Sequence, residues 1–117
     1  MLRGRMNRSD LSPPIACTLE AAALGARENE FRRLFGRALN RIERPDSRSA
    51  RLVLEAACEA ETRDLFAREQ RCCAFFEFHI ALVEAWLVVD VRVPADAEPA
   101  LGFLLGLAPP SLLDVAE

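Results

Sequence analysis

Two adjacent cysteines, Cys72 and Cys73, stand between a charged segment and an aromatic cluster in the stretch EQRCCAFF, residues 69–76. Thiolates bind soft ions such as Hg(II), Cu(I), Cd(II) and Zn(II) when two to four thiolates or imidazoles converge. Neighbours on a helix point about 100° apart, so both sulfurs reach one ion only if the helix ends at the pair. The change to apolar–polar alternation at Phe75 and Phe76 predicts such an end.

Cys17 is the expected third thiolate. It comes just before a predicted long helix, where amide donors and the helix dipole favour a thiolate. It reaches Cys72 or Cys73 only if the start of that helix lies beside the end of the helix that carries the pair. The residues alone leave a second interpretation open, in which Cys17 and one of the pair are small apolar fillers of the core. A disulfide between adjacent cysteines is strained and is not expected.

Three further residues carry groups that bind metals or move protons. Glu69 lies one helical turn before the pair and is a candidate proton shuttle or oxygen ligand, with an ordinary exposed carboxylate as the alternative. Cys58 lies roughly 21 Å from Cys72 if both are on one helix, so it cannot share an ion with Cys72 and is expected to be a core or surface thiol. His79 is expected to be a surface residue, because no other histidine accompanies it.

The composition excludes several other chemistries. None of the 117 residues is Lys or Tyr, and all 15 basic residues are Arg. A Schiff-base lysine, a phosphate-loop lysine and a tyrosine acid are therefore ruled out. The net charge of −3 argues against a general binder of polyanions.

A row of arginines on the predicted first helix is the competing functional signal. Its members recur at steps of four, four and three residues: Arg33, Arg37, Arg41 and Arg44. Such a row can contact phosphates. Acidic residues at helical ion-pair spacing, such as Glu28 with Arg32, and the lack of a nucleic-acid recognition motif indicate a solvated helix face instead. A nucleic-acid partner is therefore not expected.

Apolar periodicity predicts the elements that must position these groups. In chain order they are a helix at 19–43, a strand at 51–56, a helix at 59–73, strands at 76–82 and 87–93, and a helix at 99–107. This α-β-α-β-β-α order predicts a two-layer α+β domain, in which about three antiparallel strands pack with three helices.

The chain is expected to form a single domain over residues 15–108, with a flexible leader at 1–14 and a C-terminal tail at 109–117. The edges of so small a sheet make a homodimer an expected assembly. No signal peptide and no run of 18 charge-free apolar residues is seen, so a cytoplasmic protein without membrane association is expected. In that compartment, cysteines are thiols or metal ligands before they are structural disulfides.

The combination of IACTL at residues 15–19, a long arginine-rich helix and E-x-R-C-C-x-F-F-x-F at residues 69–78 resembles a small uncharacterised bacterial family. That family has an ACTL start and an ExCCPF-type centre, and some members occur near MerR-type or heavy-metal resistance genes. The resemblance implies a shared thiol site and a metal-responsive partner protein. The implied site residues are Cys17, Glu69, Cys72 and Cys73. This chain departs from the pattern at Ala74, where the family commonly has proline.

The leading hypothesis is cytoplasmic binding, buffering or delivery of a soft metal or metalloid ion, such as Hg, Cu, Cd or Zn, by Cys17, Cys72 and Cys73. Glu69 would act as the acid or base beside them. One alternative is a thiol enzyme that cleaves a carbon–metal bond or performs thiol–disulfide redox chemistry. The other is a small dimeric interaction domain with buried cysteines and no chemistry. Catalysis is the less favoured of these functions, because the pair lacks the C-x-x-C spacing of common redox sites.

Overall fold

The structure is a computed structural model that describes residues 21–115; the predicted leader and Cys17 lie outside this range. The described chain contains four α-helices and four strands. In order these are α1 (Ala21–Ala38), β1 (Leu39–Asp46), β2 (Ser49–Glu55), α2 (Glu59–Cys72), β3 (Glu77–Val83), β4 (Trp86–Arg92), α3 (Glu98–Leu105) and α4 (Pro110–Val115). The predicted α+β class is confirmed, whereas the predicted numbers of three strands and three helices are wrong.

All four strands form one antiparallel sheet in the order β1-β2-β4-β3. β4 therefore lies inside the sheet, between β2 and the strand β3 that precedes it in the chain. Side chains at alternate positions of β4, such as Leu87 and Val89, are fully buried, as expected for a sheet with one face against the core.

The core lies between the sheet and helices α1, α2 and α3. Its largest fully buried side chains include Phe31 and Phe35 of α1, Phe66 of α2 and Leu101 of α3. Phe31 meets Phe66 edge to face, with ring centroids 5.2 Å apart, so aromatic packing joins α1 to α2. The contact places the middle of α1 against the middle of α2.

The missed element is β1, which replaces the last part of the helix predicted over 19–43. Leu39 pairs with Leu54, and the ladder shifts by one residue before Arg41 pairs with Val53. The extra residue places Leu39 and Ile42 three positions apart, although both pack toward the core. That spacing imitates a helix, and pairing with β2 prevails over it.

The prediction that four arginines form a row on the first helix is wrong, because β1 contains two of them. Arg33 and Arg37 lie on α1, whereas Arg41 and Arg44 lie on β1, so the four side chains do not follow one helix face. Arg37 bonds to Glu61 of α2, and Arg44 donates to the Ser49 carbonyl. The first contact joins α1 to α2, and the second joins β1 to β2.

The hairpin predicted around residues 83–85 is confirmed. Val83 pairs with Trp86, so the turn is the two residues Glu84 and Ala85, and Glu84 takes a φ of 58°. The stretch expected to be a tail contains α4, which lies beside β1 and whose Leu112 packs against the core. Among the described helices, none combines the length and the apolar character needed to cross a membrane.

Candidate metal centre

Helix α2 ends at the cysteine pair. Cys73 has φ −128° and ψ 79°, outside the helical region, although its N–H still donates to the Glu69 carbonyl at 2.8 Å. The N–H of Phe76 then donates to the Cys73 carbonyl at 3.1 Å, and the Gln70 side chain donates to the Phe76 carbonyl at 2.8 Å. These bonds close a turn after the helix, which ends at the pair without a proline at position 74.

This helix end brings three potential ligands together. The Cys72 sulfur, the Cys73 sulfur and a Glu69 carboxylate oxygen all lie within 4.8 Å of one another. Two sulfurs bound to one tetrahedral Zn(II) at about 2.3 Å each stand about 3.8 Å apart. Small side-chain rotations would therefore bring the three atoms into one coordination shell.

Arg27 of α1 reaches into this cluster. Its Nη1 donates to Glu69 Oε1 at 2.9 Å and to Cys72 Sγ at 3.3 Å. Burial by itself would lower the pKa of Arg27, but its hydrogen bonds to Cys72 and Glu69, together with the negative charge of Glu69, raise this pKa above its ordinary value. Arg27 is therefore a permanent cation that contacts two potential ligands, Glu69 and Cys72, at the two ends of the last turn of α2.

A wider set of charges fixes the Arg27 side chain. Glu30 lies 3.6 Å from Arg27 and accepts two hydrogen bonds from Arg68, at 2.9 and 3.1 Å. Arg68 also pairs with Asp64 one turn earlier on α2. The hydrogen bond from Arg68 is the largest cause that lowers the pKa of Glu30; burial opposes it, and the charges of Arg68 and Arg27 add to it. The Glu30–Arg68 and Arg27–Glu69 ion pairs thus join α1 to α2 beside the thiols.

The two cysteines have different surroundings. The Cys72 side chain is half-buried on the polar side, where Sγ–H donates to the Arg68 carbonyl at 3.3 Å and the sulfur accepts from Arg27. Cys73 is buried and lines an apolar cavity of about 60 Å³ between α1, the turn after α2, and α3. Among the residues that the structure describes, Arg27, Glu28 and Glu69 are the polar ones at its wall.

Aromatic rings form the support of this region. Phe75 packs on Phe76 at 4.7 Å, Phe76 stacks on Phe78 at 5.1 Å, and Phe78 meets Phe66 edge to face at 4.8 Å. The rings continue through Phe31 into the core. They hold the turn against the sheet and limit the access of water to Cys73.

The remaining predicted residues lie elsewhere or outside the described chain. Cys58 sits at the opposite end of α2, half-buried against the core, and takes no part in the cluster. His79 is exposed on β3 opposite Asp90 of β4, as predicted for a surface residue. Cys17 lies outside the described residues, so its convergence with Cys72 and Cys73 stays a prediction.

Arg27 is the residue that sequence reasoning missed. It lies on the same stripe of α1 as Leu24 and Phe31, at spacings of three and four residues. A charged residue on an otherwise apolar stripe is the signal that would have found it, because a half-buried guanidinium needs an anionic partner.

No protein-family model, no curated protein and no solved structure matches this chain at a significant level.

Proposed function

We propose that this is a cytoplasmic protein that binds one soft metal or metalloid ion through Cys72 and Cys73. Cys17 is the proposed third thiolate, and Glu69 is an oxygen ligand or the base that accepts a thiol proton. The observation that carries the proposal is the approach of two sulfurs and one carboxylate oxygen within 4.8 Å. The proposed role is binding, buffering or delivery of this ion, with a metal-responsive protein as the proposed partner.

The ligand types favour a soft ion. Thiolates select Hg(II), Cu(I), Cd(II) and Zn(II), whereas Mg(II) and Ca(II) prefer several oxygen ligands. The cluster offers two sulfurs and one carboxylate. Burial of Cys73 behind Phe76 also slows the oxidation of a thiolate, since oxidation follows exposure.

Arg27 suits a site whose sulfurs lose their protons on metal binding. A hydrogen bond from a guanidinium to sulfur strengthens when the sulfur becomes anionic, so the 3.3 Å contact with Cys72 favours the bound state. The Cys72 thiol proton, which points to the Arg68 carbonyl, is released to solvent or to Glu69 as the ion binds.

Native mass spectrometry of the reduced full chain under anaerobic conditions tests the proposal. One equivalent of Hg(II), Cu(I) or Zn(II) is added together with a competing small thiol. The wild type is expected to retain one ion, and the Cys17→Ser and Cys72→Ser/Cys73→Ser variants are expected to lose it. Cys58→Ser is the matched control and should retain the ion. Retention that is unchanged in both the Cys17→Ser and the Cys72→Ser/Cys73→Ser variants contradicts the proposal.

The interaction-domain alternative is favoured by a different observation, the edge strand β3. Leu82 and Val83 are each 50% exposed at its end, and the outer edge of β3 pairs with no other strand of the described chain. We propose that a second copy of the chain pairs along this edge. Light scattering after size exclusion should give the dimer mass for the wild type and for Ala67→Lys, and the monomer mass for Leu82→Lys. A monomeric wild type at 100 μM refutes the dimer.

A further inference from the structure

We propose that the cavity beside Cys73 is the docking surface for a segment of the same chain, residues 15–19, which folds back along α1. Ile15 and Leu19 then bury their side chains against the cavity wall, with Cys17 between them. The inference goes beyond the proposed function, because this docking needs no metal ion. It also supplies the step that brings Cys17 to the cysteine pair.

The first support is the apolar surface that the cavity leaves in contact with water. Leu24 of α1 and Phe75 of the turn after α2 line the cavity and are only half-buried. Phe103 of α3 lines it too and is 50% exposed. Three neighbouring elements thus present apolar side chains to one open space. An apolar segment that covers them gains by leaving water, as do the side chains of the wall.

The second support is the reach of the chain that precedes α1. The described part of α1 begins at Ala21, one turn before the first residue that lines the cavity. Arg27 lies about 9 Å farther along the helix axis, at 1.5 Å per residue. The four residues back to Cys17 span up to about 13 Å when extended. A chain that reverses direction before α1 therefore carries Cys17 to the level of Arg27, whose guanidinium contacts Cys72.

The third support is the sequence of the segment. Alternate side chains of an extended chain point to the same side, so Ile15, Cys17 and Leu19 share one side, and Ala16 and Thr18 share the other. The two residues before this segment are prolines. Their fixed φ favours extended backbone and reduces the conformational entropy that docking costs. The segment therefore offers two branched apolar side chains with a thiol between them.

The wall has the same order of groups along α1. Leu24, Arg27 and Phe31 line the cavity at steps of three and four residues, so a polar group lies between two apolar ones. Leu24 and Phe31 are about 10 Å apart along the helix axis. Two apolar side chains four residues apart in an extended chain are separated by about 13 Å, a similar distance. A segment that runs antiparallel to α1 therefore sets its apolar residues against Leu24 and Phe31, and its thiol against the Arg27–Glu69 pair.

Methyl NMR of the reduced, metal-free full chain tests the inference. With isoleucine as the only labelled residue type, the chain gives three δ1 methyl signals, and loss of one in Ile15→Val assigns it. We expect NOEs from the Ile15 methyl to phenylalanine ring protons. Phe103→Lys in the wall and Leu19→Ser in the segment should each remove these NOEs. Each should also speed alkylation of Cys17 by roughly tenfold or more, because the reagent reaches only the undocked segment.

Two control variants should keep the NOEs. Leu82→Lys makes the matched change at an equally exposed residue of β3, and Ala16→Ser changes the other side of the segment. A sample that mixes labelled and unlabelled chains reports whether the contact lies within one chain.

Three results overturn the inference: no ring NOE in the wild type, NOEs that survive both Phe103→Lys and Leu19→Ser, or NOEs that come from a second copy. Its failure is distinguishable from failure of the metal site. NOEs in a protein that retains no ion support the docking and refute the proposed function. Ion retention that depends on Cys17, without NOEs, refutes the docking and leaves the proposed function in place.

Discussion

The guanidinium of Arg27 donates a 2.9 Å hydrogen bond to the carboxylate of Glu69, and both side chains are only 13% exposed. The pair joins the first half of α1 to the last turn of α2. A charge-assisted bond in such partial burial is worth more than one on the surface, because water screens it less. The position of the thiols relative to α1 therefore depends on this contact.

Arg27→Met should lower the free energy of unfolding by about 2 kcal/mol at pH 7. Methionine keeps an apolar stem but donates no hydrogen bond, so Glu69 keeps its charge in a half-buried place without a cation. Urea denaturation followed by far-UV circular dichroism measures the change. The matched control is Arg32→Met, whose 3.9 Å pair with Glu28 is exposed and should be worth less than about 0.5 kcal/mol.

Removal of both partners separates the pair from general packing. The Arg27→Met/Glu69→Met variant should lose less stability than the sum of the two single variants, because neither partner is then left unpaired. Additive losses would show that the contact between Arg27 and Glu69 contributes nothing to stability.

Sequence patterns predicted the helices and strands whose apolar period is regular, including the β3–β4 hairpin with its unusual turn. They failed at β1, where an extra residue between Leu39 and Arg41 turns a two-residue period into a three-residue one. The bulge forms because β1 pairs with β2. The spacing of apolar residues within one segment does not reveal such pairing with another segment.

The part of the candidate site that comes from one short segment could be predicted from the sequence. Glu69, Cys72 and Cys73 are close in sequence, and a helix end at the pair suffices to bring them together. Arg27 comes from 42 residues earlier in the chain, through the packing of α1 on α2. The cavity needs α3 as well, so neither feature is visible in a short motif.

Low pH should remove the contribution of Glu30 to the free energy of unfolding. Its pKa is lowered in the folded protein, chiefly by the hydrogen bond from Arg68, so this stabilisation is present above the unfolded value of about 4.3. It disappears as the pH falls through the lower folded pKa. Because the pair is about one-third exposed, Glu30→Gln should cost only about 0.5 kcal/mol at pH 7 and nothing near pH 2. Denaturation at both pH values measures this; a cost that is equal at pH 2 and pH 7, or that survives 1 M salt unchanged, contradicts it.

The turn between β3 and β4 stores backbone strain. Glu84 has a φ of 58°, in the left-handed region that costs a residue with a side chain about 1 kcal/mol and that asparagine tolerates better. Glu84→Asn should therefore raise the free energy of unfolding by about 0.5 kcal/mol. Thermal unfolding tests this against Glu77→Asn, the same change in extended backbone at the start of β3, which should not stabilise. An equal gain in stability at the two positions would show that it comes from removing a negative charge and not from relief of backbone strain.

The Thr62 side chain of α2 is completely buried, and its hydroxyl has no hydrogen-bond partner among the described residues. A buried hydroxyl without a partner costs on the order of 1 kcal/mol, and valine has nearly the same shape without that group. Thr62→Val should therefore stabilise the protein by about 1 kcal/mol in urea denaturation. Thr62→Ser keeps the hydroxyl and loses a buried methyl, so it should destabilise by a similar amount. A loss of stability in Thr62→Val would mean that the hydroxyl has a partner in solution, and the Thr62→Ser variant would then distinguish that loss from poor packing.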